Sequence, residues 1–267
     1  MNKKLLSGLF VAASAMAGAF SQAGSAAAFT WNNSWSQPQI FGKAAVGFND
    51  APFQQFVNKE GLAVPNSGQK KVNSDNLLLK YSYDVKVSFI NEGAGYRNQL
   101  GYTATGGTNK SGMIFSDISC AGVGCVSPGA NTLKLGDTVK LGTMAANTQL
   151  DFGLRANGFN RGTNSYVFGT PSSENADGLQ HVVAYTYGGK YLVMGFEDLY
   201  GDGKSAQGKF GEKSDRDFND AVFVVDIGED NVNYLNGGTK VPEPASVVTL
   251  LGLGAAGVLK ARRRKAD

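Results

Sequence analysis

The sequence predicts an all-β protein, an antiparallel β-sandwich of jelly-roll-like type with one short helix. Two observations predict this fold: glycine makes up 36 of the 267 residues without a collagen-like period, and apolar residues alternate with polar ones in several segments. Short strands separated by Gly, Asn and Ser clusters are typical of sandwiches. Charged residues at 18% and hydrophobic residues at 42% exclude a disordered polar tract and a polytopic membrane protein.

The alternation is clearest between Leu79 and Phe89, where every second residue is apolar and the residues between them are polar. This period of two predicts one strand with a solvent-facing side. Residues 221–225 are apolar without alternation, which predicts a central strand that is buried on both faces. The one helix is predicted to begin at Asp50 and to end at Gly61. Further strands are predicted at 113–118, 132–141, 149–155, 165–169, 180–187 and 190–196.

The N-terminus, residues 1–28, is predicted to be a secretory signal peptide. Two lysines supply a positive start, an apolar and small-residue stretch follows, and three alanines end at Ala28. We therefore expect cleavage between Ala28 and Phe29. Without both terminal segments, residues 29–241 carry a net charge of −2, whereas the whole chain carries +3. No basic stripe remains in this sequence, so nucleic-acid binding is not expected.

The C-terminal segment, residues 241–265, combines the tripeptide Pro242-Glu243-Pro244 with an uncharged apolar run and a basic end. This order resembles the PEP-CTERM sorting signal of Gram-negative bacteria. The resemblance implies processing by an exosortase-type enzyme after transient insertion of an apolar helix into the inner membrane. It also implies a final location in the cell envelope, at the surface or in the extracellular matrix, where exopolysaccharide is an expected partner. A plain tail anchor is the alternative.

The two cysteines, Cys120 and Cys125, lie in a glycine-rich stretch. In an exported compartment we expect them to form a disulfide that closes a small loop. A thiolate metal site needs more Cys or His ligands, and His181 is the only histidine in the sequence.

An acidic cluster is the main chemical feature of the sequence. Between Glu197 and Asp230 there are ten acidic residues and four basic ones. Packed carboxylates repel each other unless a cation neutralises them, and Ca²⁺ takes about six to eight oxygen ligands. If the strand before Glu197 pairs with the strand after Asp220, the acids at both strand ends face each other. The cluster therefore predicts a calcium site, with a solvated face of turn-forming residues as the alternative.

A second resemblance depends on the Phe-Glu-Asp-Leu motif at 196–199, the acidic segment 214–223 and the glycine-containing segment 92–102. Together these segments are similar to the DUF4114 family of extracellular and adhesin-like proteins. The resemblance implies a domain at 85–230, preceded by residues 29–84 as an N-terminal part of the same β domain. It implies no enzymatic activity. The calcium ligands that it implies are Glu197, Asp198, Asp215, Asp217, Asn219 and Asp220.

We expect a binding or structural protein rather than an enzyme. A polysaccharide-acting hydrolase would use two carboxylates about 5–10 Å apart, but these acids lie among turn residues and not in an aromatic pocket. A Ser–His–Asp set would require His181, whose neighbours predict a plain strand. Trp31 and Trp35, among Asn and Ser, are the candidate surface for a glycan. A matrix protein that is stiffened by calcium and has no specific ligand is the alternative.

Overall fold

The computed structural model describes residues 29–57, 69–120, 125, 133–204 and 207–238. The signal peptide, the end of the predicted helix at Gly61 and the PEP-CTERM-like segment lie outside the described residues. Among the described residues, no helix has the length and apolar character needed to cross a bilayer.

Short strands account for most of the regular structure in these ranges. The strands are β1 Lys70–Val72, β2 Leu77–Leu79, β3 Tyr83–Asn91, β4 Asn98–Gly106, β5 Lys110–Ile118, β6 Thr138–Met144, β7 Thr148–Arg155, β8 Val167–Gly169, β9 Val182–Tyr187, β10 Tyr191–Phe196 and β11 Ala221–Asp226. The α-helices are α1 Lys43–Val46, α2 Gly158–Arg161 and α3 Glu229–Leu235, and 3-10 turns occur at Ala51–Phe56, Gly162–Asn164 and Ser172–Glu174.

The strands form two antiparallel sheets, which confirms the predicted fold class. One sheet has the order β1-β9-β10-β11-β3-β6, and the other contains β2-β7-β4-β5 with β8 paired to β7. The main hydrophobic core lies between the sheets, where Val87, Phe89 and Phe223 share a cluster with Leu100 and Phe152. Burial of side chains of this size contributes about 1.5–3 kcal/mol each.

The position of β11 confirms the prediction of a central strand. It pairs with β10 on one side and with β3 on the other. Phe223 and Val225 lie in the core between the sheets. Val222 and Val224 lie in a second cluster on the opposite face, which the 3-10 turn Ala51–Phe56 covers. Both faces of β11 are apolar because both are covered.

The prediction of one strand from Leu79 to Phe89 is wrong, because the chain changes sheets within this segment. β2 pairs with β7 in one sheet, and β3 pairs with β6 and β11 in the other. The crossover is fixed at Tyr81, whose backbone N–H donates to Asn231 Oδ1 at 2.8 Å. Asn231 Nδ2 donates in return to the Tyr81 carbonyl at 3.0 Å. Long-range hydrogen bonds therefore replace the strand pairing that the alternation predicts.

Several short elements also differ from the prediction. The segment after Asp50 is a 3-10 turn and not an α-helix, and its apolar residues Phe53 and Phe56 are buried against the sheet. The three short α-helices were not expected, nor was β4. This strand carries Gly101 and Ala104, so its alternation is weak, although Leu100 and Tyr102 point into the core.

An aromatic cluster at the start of the predicted mature chain covers the outer face of the sheet that contains β4 and β7. The ring centroids of Trp31 and Trp35 are 5.4 Å apart, and Phe29 contacts both rings. Glycines in the sheet leave room for these rings. A Cβ atom at Gly153 would lie 2.3 Å from the Phe29 ring, and one at Gly101 would lie 2.6 Å from Trp35. Both tryptophans are half-buried, so this packing occupies part of the surface predicted for a glycan.

We expect Gly153→Ala to lower the free energy of unfolding by about 1–3 kcal/mol, because the added methyl group collides with the Phe29 ring. In a Phe29→Ala background the same substitution should lower the free energy of unfolding much less, so a double-mutant cycle measured by urea denaturation should show coupling between the two positions. Gly95→Ala is the matched control, since a Cβ atom there meets nothing within 4 Å. An equal cost with and without the Phe29 ring would contradict this packing.

Candidate metal centre

The acidic cluster lies at one end of the β10–β11 pair. Phe196, the last residue of β10, is opposite Ala221, the first residue of β11. Glu197 and Asp198 therefore leave one strand at the point where residues 214–220 enter the other. This register confirms the expected pairing of the two strands, and it brings both acidic segments to the same end of the sheet.

Residues 214–220 turn sharply before β11. Arg216 and Phe218 have φ values of 64° and 61°, in the left-handed region that non-glycine residues seldom adopt. Side chains support the turns: the N–H of Arg216 donates to Ser214 Oγ at 3.1 Å, and the N–H of Asn219 donates to Asp217 Oδ1 at 2.9 Å. The turns place the side chains of two aspartates, Asp215 and Asp217, on the side of Glu197.

Glu197, Asp215 and Asp217 form a three-carboxylate group in which one oxygen from each residue lies within 4.8 Å of the others. Glu197 and Asp217 are buried, and Asp215 is exposed. The side chain of Glu197 is 0% exposed, yet neither of its oxygens has a hydrogen-bond partner among the described residues. A buried carboxylate without donors is strongly unfavourable, and a bound cation would offset this penalty.

The surroundings of Glu197 disfavour its charged form. Burial raises the pKa of Glu197, and the neighbouring carboxylates of Asp215 and Asp217 raise it further. The Ser214 hydroxyl and the Arg216 guanidinium lower this pKa but do not outweigh the other effects. Ser214 lies nearby without the geometry of a hydrogen bond to either oxygen. Without a cation, Glu197 therefore tends to take up a proton.

Asp198 and Asp220 lie next to the three-carboxylate group, and a hydrogen bond joins these two residues. Asp198 Oδ2 accepts from Asn98 Nδ2 at 2.6 Å, and the N–H of Asp198 donates to Asp220 Oδ2 at 2.7 Å. Burial raises the pKa of Asp198 to about 7 and that of Asp220 well above its usual value. The carbonyl of Asn219 accepts from the N–H of Gly93 at 3.1 Å, so Asn219 and Asp198 connect the cluster to the segment from β3 to β4, and Asp220 connects to it through the backbone of Asp198.

Glu92 is a buried acid of this region that we did not predict as a site residue. Its Oε1 accepts from the N–H of Cys120 at 3.0 Å, and Oε2 has no partner within the described part of the chain. Burial raises the pKa of Glu92 to about 8, and the charges of Asp198 and Asp117 contribute. Cys120 is joined to Cys125 by a disulfide with a Cα–Cα distance of 5.7 Å. The disulfide therefore begins at a residue that contacts the acidic region.

His181 fixes the end of β10 and is fully buried. Its Nδ1 donates to the carbonyl of Glu197 at 2.9 Å, and its Nε2 shares a hydrogen bond of 2.9 Å with Asp177 Oδ2. The same Asp177 oxygen accepts from the N–H of Gly201 at 2.8 Å, and the imidazole stacks on Phe168 at 3.7 Å between centroids. Burial lowers the pKa of His181. Through these contacts His181 positions the backbone at the start of the connection from β10 to β11.

We expect the metal-free protein to lose stability as the pH rises from about 5 to about 8. Folding raises the pKa of Asp198 from 3.8 to about 7 and that of Glu92 from 4.5 to about 8. The folded state therefore binds more protons than the unfolded chain over this interval, and their loss at higher pH favours unfolding. His181 acts in the opposite direction because its pKa is lowered, but it is one group against five carboxyls whose pKa is raised, those of Glu92, Asp151, Glu197, Asp198 and Asp220.

Urea denaturation in chelator at several pH values measures this slope. Glu92→Gln should make the slope shallower, because the amide does not titrate, whereas Asp84→Asn, at an exposed position on β3, should leave it unchanged. A stability that is constant or increases from pH 5 to pH 8 would show that the buried carboxyls do not titrate as described.

Comparison with known proteins locates this cluster within a family. The family called "Domain of unknown function (DUF4114)" matches residues 144–228, and the PEP-CTERM protein-sorting motif matches residues 240–265. No curated protein and no solved structure matches the chain. The first match includes β7 to β11 and the three-carboxylate group, whereas Glu92 lies before it. Both resemblances that the sequence indicated are thus confirmed: residues 144–228, which contain the three-carboxylate group, match the DUF4114 model, and residues 240–265 match the PEP-CTERM sorting motif.

Proposed function

We propose that this chain is a non-enzymatic protein of the cell envelope or extracellular matrix whose β-sandwich is stabilised by Ca²⁺. The PEP-CTERM motif at 240–265 marks it as an exported substrate of an exosortase-type system in Gram-negative bacteria. In this proposal the apolar run at 245–259 inserts transiently into the inner membrane before processing. The β-sandwich is then displayed outside the cytoplasm, where exopolysaccharide is its partner.

The carboxylate of Glu197 is the observation that carries the calcium proposal. It is buried, lacks hydrogen-bond partners among the described residues and lies within 4.8 Å of Asp215 and Asp217. All of these donors are oxygens, which suit a hard cation such as Ca²⁺ better than Zn²⁺, which favours nitrogen and sulfur. Asp215 is exposed and gives the group a side that is open to solvent.

We assign direct ligation to Glu197, Asp215 and Asp217. The other three residues that the sequence predicted, Asp198, Asn219 and Asp220, support the turn through hydrogen bonds to β4, to Gly93 and to each other's backbone. Ca²⁺ neutralises carboxylates that otherwise repel. Bound between Glu197 and Asp215, it also joins the two ends of the connection from β10 to β11. Its effect is therefore expected on stability and on the order of this connection.

We expect Ca²⁺ to raise the Tm of residues 29–241 by several degrees, because ligand at 100-fold excess over Kd adds about 2.7 kcal/mol. Glu197→Gln should abolish this rise. The same variant should leave the Tm in chelator unchanged or higher, since it removes a buried carboxyl whose oxygens lack donors and whose ionisation is unfavourable. Differential scanning calorimetry with Ca²⁺ and with chelator measures both effects, and Asp84→Asn is the control for an exposed acid.

The two readouts separate a metal ligand from a residue that only supports the fold. Loss of the Ca²⁺ response with unchanged stability in chelator supports ligation by Glu197. A large fall in Tm in chelator would mean that Glu197 stabilises the fold by itself and would contradict the assignment. A wild-type protein whose Tm does not respond to Ca²⁺ would refute the calcium proposal.

A further inference from the structure

Two large apolar side chains are exposed among the residues that the structure describes, Phe159 at 48% and Phe210 at 38%. A guanidinium lies over each ring: Arg97 Cζ is 3.6 Å from the centroid of Phe159, and Arg161 Cζ is 3.7 Å from that of Phe210. The two arginines differ in their partners. Arg97 is paired with Asp117 through two hydrogen bonds. Its charge is therefore satisfied within the protein.

Arg161 belongs to a row on the surface in which aromatic rings and cations alternate. Its Cζ lies 4.8 Å from the centroid of Tyr96 on one side and 3.7 Å from that of Phe210 on the other. Lys209 Nζ follows, at 5.1 Å from Phe210 and 4.6 Å from Tyr166. We call this set the cation–aromatic row, and it consists of Tyr96, Arg161, Phe210, Lys209, Tyr166 and Tyr200.

Neither cation of the row forms an ion pair with a carboxylate in the described ranges. Arg161 Nη2 donates to the Tyr96 hydroxyl at 3.4 Å, which is a long hydrogen bond. The nearest acid in the loop sequence, Glu212, accepts instead from the N–H of Phe210 at 2.9 Å. The guanidinium and ammonium donors are thus available to an anion from outside the protein.

We infer that the cation–aromatic row binds an anionic polysaccharide, with sugar carboxylates on Arg161 and Lys209 and sugar rings against the exposed ring of Phe210 and the half-buried tyrosines. A guanidinium that is held between two rings presents its planar fork to a carboxylate at little further entropy cost. Rings separated by charges match a polymer in which sugar rings and carboxylates repeat.

This inference rests on the proposed function, because it identifies the charge class of the polysaccharide that the exported protein meets. It also connects the row to the acidic cluster. Lys209 and Phe210 lie on the connection between Glu197 and Asp215, whose ends the proposed Ca²⁺ would join.

Isothermal titration of residues 29–241 with low-mass hyaluronan, a polymer with one carboxylate per disaccharide, tests the inference. We expect binding that weakens with added salt, as charge pairs at a surface do. Arg161→Gln and Lys209→Gln should each weaken it about two- to fivefold, the loss expected for one solvent-exposed ion pair. Lys140→Gln is the matched control, because Lys140 Nζ also lies over a ring, 4.4 Å from the centroid of Phe41, but outside the row.

The outcomes separate the row from the metal site and from other partners. Neutral dextran should not bind, and polyglutamate should bind more weakly than hyaluronan because it has no sugar rings. Hyaluronan binding that is lost in the row variants, in a protein whose Tm does not respond to Ca²⁺, supports the row and refutes only the metal proposal. Equal binding by wild type, Arg161→Gln and Lys140→Gln, no binding of hyaluronan, or equal binding of polyglutamate would overturn the inference.

Discussion

The antiparallel pairing of β10 with β11 determines where the acidic residues meet. Phe196 is opposite Ala221, so the acids at the two strand ends are forced together although they repel each other. Because β11 is apolar on both faces, polarity alone does not fix its register. The register depends on Phe223, whose ring lies 6.0 Å from Phe89 and 5.7 Å from Phe115 within the core. Core packing therefore holds the carboxylates in place.

This arrangement makes one end of the sandwich sensitive to its surroundings. The core between the sheets contributes stability that does not depend on pH, whereas the contribution of the buried carboxyls at the end of β10 depends on pH and, in the proposed function, on a bound cation. Burial raises the pKa values of Glu92, Asp198 and Asp220 because the apolar surroundings disfavour charge. Local stability varies along a protein chain, and the segments that respond to a ligand are usually among the least stable ones. In the proposed function, the connection from β10 to β11 has this character.

The sequence predicted the elements whose signal is local. Residues 221–225 are apolar without alternation, and the acids at 197–198 and 215–220 lie next to strands, so the central strand and the acidic end could both be inferred. Glu92 could not, because its role depends on the pairing of Asn91 with Val222, which are far apart in the chain. The break between Leu79 and Phe89 was also missed, because alternation does not reveal which sheet a residue joins.

The aromatic residues show the same limit, and the surface that we propose for a polysaccharide differs from the pair of tryptophans that the sequence suggested. Trp31 and Trp35 lie among polar residues in the sequence, but glycines in β4 and β7 leave room for their rings to pack on the sheet. The cation–aromatic row draws on segments near 96, 161 and 209, none of which stands out alone. These segments are connections between strands, and their side chains are free of the packing that uses the sheet faces. Since one of them also joins the ends of the acidic cluster, a cation bound there would order the surface that presents Lys209 and Phe210.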